Sequence, residues 1–521
     1  MSRGPVARIF EGRWFALLML AVPLWACAPL EKQRTESFSL APPSQGLLAE
    51  MSERARRSAP AGKSGLLALA ENAAALRWRL AMIDSAQRSI DLQTYVWKGG
   101  VVGKLLVLRL LAAAERGVRV RVLVDDFLVR GGDEVSTLLS SHPYIEVRIF
   151  NPWTARGAFG MRNAFEWLWR TELNHRMHNK LILVDGLAAI AGGRNIADEY
   201  FGLNPASNFA DLDVLAVGPV IDDLEEAFDD YWNDEWSIPA STFDRRVRTE
   251  EEVAEEIAAL RSALTNWSDE EIARLIDIPL KPVSWEAILD PLPTQLSYAN
   301  TIGVTDDPRE LRGGIANQVY LSLADLISEA ETELLMVSAY FVPSVDQIKE
   351  FRALTDRGIR VRVLTNSLAS NNHSIVNSQY KRWREPLLDA GVELYEMRHD
   401  PADVKFINTQ PVVAESSTLH TKAVVVDGRR LYIGALNLSP RGLRINAENG
   451  IVIEDPAFGA KIMALFEQQL EPRNAWRLER DEDGNLQWIS TGGALRRQPA
   501  RLFRQRLSDW FFGLFPLEGQ I

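Results

Sequence analysis

The stretch His178-Asn179-Lys180-Leu181-Ile182-Leu183-Val184-Asp185, followed after six residues by Gly192-Gly193-Arg194-Asn195, is written a second time in the chain. The second copy reads His420-Thr421-Lys422-Ala423-Val424-Val425-Val426-Asp427, then Gly434-Ala435-Leu436-Asn437. Both obey H-x-K-x4-D-x6-G-x-x-N and lie 420 − 178 = 242 residues apart. The apolar run after each lysine predicts a strand, on which residues i and i+2 share a face. His178 and Lys180 therefore project together, as do His420 and Lys422. A base or nucleophile beside a fixed positive charge suits a phosphate. An asparagine beyond the glycine turn brings a neutral amide donor to the same anion.

The repeat extends outward from these motifs. Arg116-Gly117-Val118-Arg119-Val120-Arg121-Val122-Leu123 returns as Arg357-Gly358-Ile359-Arg360-Val361-Arg362-Val363-Leu364, an offset of 357 − 116 = 241. Gly391-Val392-Glu393-Leu394-Tyr395 likewise parallels Ile145-Glu146-Val147-Arg148-Ile149. So long a period means two domain-sized lobes and excludes a solenoid of short repeats. A helical stretch over Leu66 to Ala86 leads into a strand over Ser89 to Tyr95. A Leu/Ala-rich helix to Arg116 and a strand over Val118 to Val124 follow, in the order of buried parallel strands. Between the lobes, Pro239 to Arg312 is charged and helical, and its acidic run Glu250-Glu251-Glu252 reads as a solvated helix face.

With 46% hydrophobic and 25% charged residues in 521, the chain has the make-up of a soluble globular protein. A net charge of -12 argues against a protein that coats nucleic acid. The single cysteine, Cys27, excludes an internal disulfide framework. Arg3, Arg8 and Arg13 precede a thirteen-residue apolar run, Trp14 to Ala26, which has the dimensions of a secretory signal. The run ends in Leu24-Trp25-Ala26-Cys27, which resembles a bacterial lipobox, so Cys27 is the expected lipid anchor. On that reading the protein is exported into the bacterial cell envelope and tethered to a membrane. Residues 28–65, with Pro42, Pro43 and Pro60, suit a flexible linker.

The paired motif resembles that of the phospholipase D superfamily, over roughly residues 66–475. Arg176-Met177-His178-Asn179-Lys180, Gly192 to Phe201, Asp211-Leu212-Asp213-Val214 and Tyr340-Phe341-Val342-Pro343 are most similar to bacterial cardiolipin synthases. The resemblance implies an α/β fold of two phospholipase D-like lobes, 66–238 and 313–475, related by a pseudo-two-fold axis. A helical insert (239–312) separates them, and a C-terminal amphipathic aromatic tail (476–521) follows. It implies a catalytic set of His178, Lys180, Asp185, Asn195, His420, Lys422, Asp427, Asn437 and Glu448. One histidine would attack phosphorus and the other protonate the departing alkoxide, with no metal or cofactor. A carboxylate orients each imidazole: Glu448 fits in the second lobe, and Asp211 or Asp213 in the first. Gly193 and Ala435 stand where many members carry serine.

Other residues have plainer readings. His175 and His178 lack the further ligands of a metal site. His373, in the polar stretch Asn371-Asn372-His373-Ser374, reads as a surface-loop histidine or one that lines the cleft, and Asp125-Asp126, after a strand, as a loop start or a headgroup contact. Trp153, Phe159, Phe165, Trp167 and Trp169 crowd the stretch before the first motif, where an apolar wall would accept acyl chains or simply pack. From Arg496 to Leu517, Arg501, Arg504 and Arg506 alternate with Leu502, Phe503, Leu507, Trp510, Phe511, Phe512 and Phe515. That pattern reads as an interfacial helix on anionic lipid or as a helix docked back on the protein. The expected partners are phospholipids, namely phosphatidylglycerol as acceptor and phosphatidylglycerol or phosphatidylethanolamine as donor, together with a membrane surface. No nucleic acid is expected, and no protein partner is named by the sequence. A phosphatidyltransferase of cardiolipin synthase type leads. A hydrolytic phospholipase D, a secreted phosphodiesterase and a non-catalytic lipid-binding lipoprotein follow.

Overall fold

The computed structural model describes residues 35–127, 133–154, 170–243, 246, 248–275, 277–313 and 317–520. Cys27, the apolar run before it, and Phe159, Phe165, Trp167 and Trp169 lie outside the described residues.

In the first lobe the strands lie side by side in the order Ser64–Leu69, Asp213–Val217, Ala188–Gly192, Leu181–Val184, Ser89–Thr94, Arg119–Asp125, Ile145–Phe150, Ser237–Pro239. The second lobe repeats that order with Ser297–Thr305, Asn449–Glu454, Arg430–Gly434, Lys422–Val426, Glu333–Ser338, Arg360–Asn366, Glu393–Met397, Ala475–Arg480. In each, the three strands built from the Arg-Gly-Val and Arg-Gly-Ile repeats and their flanks are parallel, as their near-continuous apolar sequences predict.

Both faces of each sheet are covered, and the motif strands show how. Ile182 and Val184 point to the helices Asn72–Ser85 and Val101–Glu115, whereas Leu181 and Leu183 point the other way. There they join Ala423, Val425 and Ile451 of the second lobe in one apolar cluster. Each fully buried leucine or valine in such a seam contributes roughly 1.5–3 kcal/mol. The lobes are thus fixed by the same alternation that orients the motif.

Three expectations change. Residues 35–65 are not a free linker: Leu47–Ser58 is a helix with Leu48, Met51 and Ala55 buried on one face. Ser39 N–H also donates to Asp229 Oδ2 at 2.8 Å. The prolines that suggested a spacer lie outside the helix. Leu66 to Ala86 is a strand, Ser64–Leu69, followed by a helix, Asn72–Ser85, because the first apolar residues are claimed by the sheet. The insert is helical over Glu250–Thr265 and Asp269–Arg274, each opened by a capping box, but ends in the strand Ser297–Thr305. That strand pairs with Ser64–Leu66 and then with Asn449–Glu454, joining the two half-sheets into one.

In the tail, Ala475–Arg480, Leu486–Ser490 and Gly493–Leu495 extend the second sheet, and Phe503–Phe512 is a helix. The helix docks through a polar residue. Buried Asp509 accepts from Asn377 Nδ2 (2.6 Å), Lys381 Nζ (2.8 Å) and Gln498 Nε2 (3.0 Å). Its apolar residues face outward, with Phe503 80% and Trp510 60% exposed. No helix among the described residues is long and apolar enough to cross a membrane.

Candidate active site

The two histidines are held across the lobe boundary. His178 N–H donates to the Ala447 carbonyl (2.8 Å), and His420 N–H to the Ala210 carbonyl (2.7 Å). Each of these carbonyls immediately precedes a carboxylate. Glu448 Oε2 lies 2.7 Å from His178 Nδ1, and Asp211 Oδ2 lies 2.6 Å from His420 Nδ1. The carboxylates are therefore exchanged: Glu448, expected to serve its own lobe, orients the histidine of the other. Asp211 does the reverse. Asp213 is excluded from this role because it neutralises Arg79 and Arg194 in the first lobe. Motif spacing gives no sign of the exchange, since either lobe's carboxylate satisfies it.

Around each ring the packing is aromatic. Tyr95 meets His178 edge-on at 5.0 Å, and Tyr200 meets His420 edge-on at 4.9 Å, while Phe209 stacks on His420 at 5.2 Å. Lys180 and Lys422 are buried beside their histidines, each donating through Nζ to the carbonyl two residues back. Burial pushes Lys180 down to about 7 and Lys422 down to about 8, overriding the attraction of Glu448 and Asp211. Burial, followed by the two lysine charges, holds both imidazoles well below the usual histidine range. Burial likewise raises Glu448 and Asp211 above the usual carboxylate range. With Nδ1 held by a carboxyl group, Nε2 is the ring nitrogen left for chemistry. Neutral, it is a nucleophile or base; protonated, it is an acid.

The asparagines separate. Asn195 Oδ1 accepts from Val96 N–H (3.1 Å) and its Nδ2 donates to Tyr200 Oη (2.9 Å), so its amide is spent on structure. Asn437 is buried and its Oδ1 has no partner. Asp185 and Asp427 are not brought to the histidines. Asp185 accepts the backbone N–H groups of Gln87, Arg88 and Ser89, and Asp427 those of Glu331, Thr332 and Glu333. Each lies at the far end of its strand, about 15 Å from the lysine at 3.3 Å per residue. Gly193 has a positional reason: a Cβ there would lie 2.2 Å from Asp211 Oδ1, so a side chain would displace the partner of His420.

Asp306, Asn449 and Arg441 escaped the sequence reading, whereas Asp125 and His373 were among its candidates. Asp306 Oδ2 accepts from Glu448 N–H (2.9 Å), and Asn449 binds both the N–H and the carbonyl of Lys180. Arg441 lies beside His178 and is among the cations that lower it. Asp125 accepts from Met177 N–H at 3.0 Å, bracing the residue before His178. His373 packs edge-on against Tyr340 at 5.7 Å and is felt by His420, so its loop borders the site. His175 turns away, its Nδ1 lying 2.8 Å from the Ile445 carbonyl.

Comparison with known proteins agrees with this geometry. The family model described as "Cardiolipin synthase, PLD-like domain" matches residues 80–232 and 323–470, one segment in each lobe. Cardiolipin synthase C of Escherichia coli (strain K12) is 33% identical over 467 residues, covering 88% of this chain and 96% of the relative. Cardiolipin synthase B of the same strain is 25% identical over 377 residues, covering 72% of this chain and 73% of the relative. Among solved structures, the phosphatidylserine synthase of Haemophilus influenzae Rd KW20 superposes with a TM-score of 0.54 at 16% identity, covering 82% of this chain and 92% of that one. With a motif strand in each matched segment and paired histidines between them, the chain belongs to the phospholipase D superfamily, in its cardiolipin synthase group.

Proposed function

We propose that the protein is a phosphatidyltransferase of cardiolipin synthase type, joining a phosphatidyl group to a glycerol hydroxyl of phosphatidylglycerol. The observation that carries this reading is the exchanged pair of contacts, His178–Glu448 and His420–Asp211, by which each lobe orients the imidazole of the other, with Lys180, Lys422 and His420 all acting on His178. In the first step one Nε2 attacks phosphorus, forming an N–P bond as the bond to the donor headgroup oxygen breaks. The other imidazolium gives that oxygen its proton. In the second step the same imidazole takes the proton of the acceptor hydroxyl, whose oxygen displaces Nε2 from phosphorus. Lys180, Lys422 and the Asn437 amide stabilise the charge on the transferring group.

Two regions support a place at the membrane. The lipobox-like Leu24 to Cys27 is read as an acyl anchor in the cell envelope, and Cys27→Ser is expected to release the protein from the membrane fraction. The helix Phe503–Phe512, polar inward and aromatic outward with Arg501, Arg504 and Arg506 exposed, is read as lying on an anionic bilayer. Trp510→Ala with Phe503→Ala is expected to weaken binding to phosphatidylglycerol vesicles.

The deciding assay incubates the full chain with acyl-labelled phosphatidylglycerol, with and without phosphatidylethanolamine, and separates the lipids. Cardiolipin is the expected product. Phosphatidic acid alone would replace transfer by hydrolysis, and no turnover of either lipid would overturn the reading.

A further inference from the structure

The motif repeat carries past its asparagines to a pair of positions that do not match. Arg441 stands 441 − 199 = 242 residues after Glu199, the offset that relates the two histidines. The two positions are therefore equivalent in the two lobes, and they carry opposite charge. Glu199 is neutralised, because it pairs with Lys98. Val342 holds the place of Lys98, since Lys98 N–H donates to the Ile196 carbonyl and Val342 N–H to the Leu438 carbonyl, and it supplies no charge to match it. Arg441 instead reaches into the first lobe, donating from Nη1 to Asn174 Oδ1 (3.0 Å) and from Nη2 to the Asn174 carbonyl (2.7 Å). Both acceptors are neutral; Asp125 and Glu448 lie within electrostatic reach of Arg441, but among the described residues neither comes within ion-pair distance of it.

A half-buried guanidinium with no carboxylate in direct contact is costly unless an anion visits it. The reacting phosphate does not need it, since Lys180 and Lys422 already flank the imidazoles. Arg441 also lies on the side of the tail: its helix, Pro440–Arg444, packs against the C-terminal turn Glu518–Gln520, which follows the exposed aromatic helix. Transfer between two phospholipids brings two phosphates to the site, and only one of them reacts.

We infer that Arg441 is the subsite for the non-reacting phosphate of the acceptor phospholipid. It seats that phosphate so that the acceptor's terminal hydroxyl reaches the phosphorus held between the histidines. The opposite side, where Glu199 and Lys98 cancel, makes no such demand for an anion. This deepens the transferase reading and rests on it for the identity of the acceptor.

The test compares two acceptors in the same mixed micelles with one acyl-labelled donor. Phosphatidylglycerol offers the diol and a phosphate, and monoacylglycerol offers the diol alone. Arg441→Gln is expected to lower the preference for phosphatidylglycerol about tenfold or more, through KM for the acceptor, and Arg441→Lys to fall between it and the wild type. Asn174→Ala, which loosens the contact between lobes but keeps the cation, is expected to keep most of the preference. An equal loss with both acceptors in Arg441→Gln, or the same loss in Asn174→Ala, would make Arg441 a structural strut and overturn the proposal. A second readout needs no turnover. Calorimetric titration with glycerol 3-phosphate is expected to give two sites in the wild type and one in Arg441→Gln, and identical isotherms would also overturn it. If the wild type makes only phosphatidic acid, the transferase reading falls, and the titration still decides whether Arg441 binds a second phosphate.

Discussion

The two copies of the motif fold alike and are used differently. In each, a histidine and a lysine lead into a strand, Lys422 being its first residue in the second copy, the strand turns at Asp-Gly, and an asparagine follows the returning strand. Beyond the backbone the halves diverge. Asn195 is tied to Val96 and Tyr200, whereas Asn437 Oδ1 is unpartnered; Phe209 stacks on His420, and His178 has only the edge of Tyr95. A shared spacing therefore fixes where a residue sits, while its neighbours decide whether its polar atoms remain free for a substrate. Identical letters in the two lobes are not equal partners.

The sharpest way to break the comparison is to remove each imidazole in turn. His178→Ala and His420→Ala are each expected to lower kcat about 10⁴-fold or more while the fold persists, since neither half replaces the other. Acid-quench trapping of labelled enzyme then separates their roles: the variant that still becomes phosphorylated has lost the acid rather than the nucleophile. Full activity in either would end the two-histidine scheme. Next in size is the exchange of carboxylates. Glu448→Gln and Asp211→Asn are each expected to cost about 10²- to 10⁴-fold in kcat by releasing the ring tautomer. Nitrogen-15 spectra of the histidines test the crossing itself. Glu448→Gln should disturb His178 and spare His420; the opposite pattern would mean that each lobe serves itself.

The asparagines give a smaller and more discriminating contrast. Asn437→Ala is expected to lower kcat about 10²-fold with the melting temperature little changed, because among the described residues neither side-chain amide atom of Asn437 has a hydrogen-bond partner and its Nδ2 can donate to developing charge. Asn195→Ala is expected to cost about 1–3 kcal/mol of stability, because Val96 N–H and Tyr200 Oη lose their partner. Urea unfolding beside steady-state kinetics separates the two. The lysines add a pH dependence of known sign. Each is a cation below its pKa and neutral above it, and burial places these values at about 7 for Lys180 and about 8 for Lys422. The imidazole that serves as acid works in the same sense, because burial depresses it and it loses its proton as pH rises. In the free enzyme kcat/KM should therefore decline as pH rises through about 7 to 8. Lys180→Arg, which keeps its charge, should move that decline upward.

Much of this was legible in the residues. The doubled motif gave the lobes and their strand faces, because period-two alternation and a shared offset are local signals. Contacts with no local signal were hidden. Nothing near Glu448 says that its side chain crosses to His178, and nothing near Arg441 says that it will lack a carboxylate. The helix Leu47–Ser58 was obscured by its proline-bearing flanks, and the strand Ser297–Thr305 by the charged helices before it. Asp509 shows the same limit, since the letters around it give an amphipathic helix and only the fold shows the polar side turned inward.

The aspartates that complete each octad belong to a further class, in which sequence regularity has a backbone cause. Asp185 and Gly186 have φ of 59° and 65°, and Asp427 and Gly428 have φ of 52° and 62°. Positive φ at both central positions is the turn that suits the twist of a tight hairpin, and aspartate with glycine is a favoured pair for it. The Asp185 carboxylate then caps the backbone N–H groups that open the strand Ser89–Thr94, and Asp427 does the same for Glu333–Ser338. Replacing either by alanine removes these acceptors and puts an ordinary Cβ at positive φ. Asp185→Ala and Asp427→Ala should each cost about 1–3 kcal/mol in urea unfolding, with kcat falling less than threefold at a temperature where the variant is folded. Asparagine, which tolerates positive φ and still accepts hydrogen bonds, should restore part of the loss. A large fall in kcat with stability intact would instead return these aspartates to the reacting centre and make the two ends of the motif strand one site.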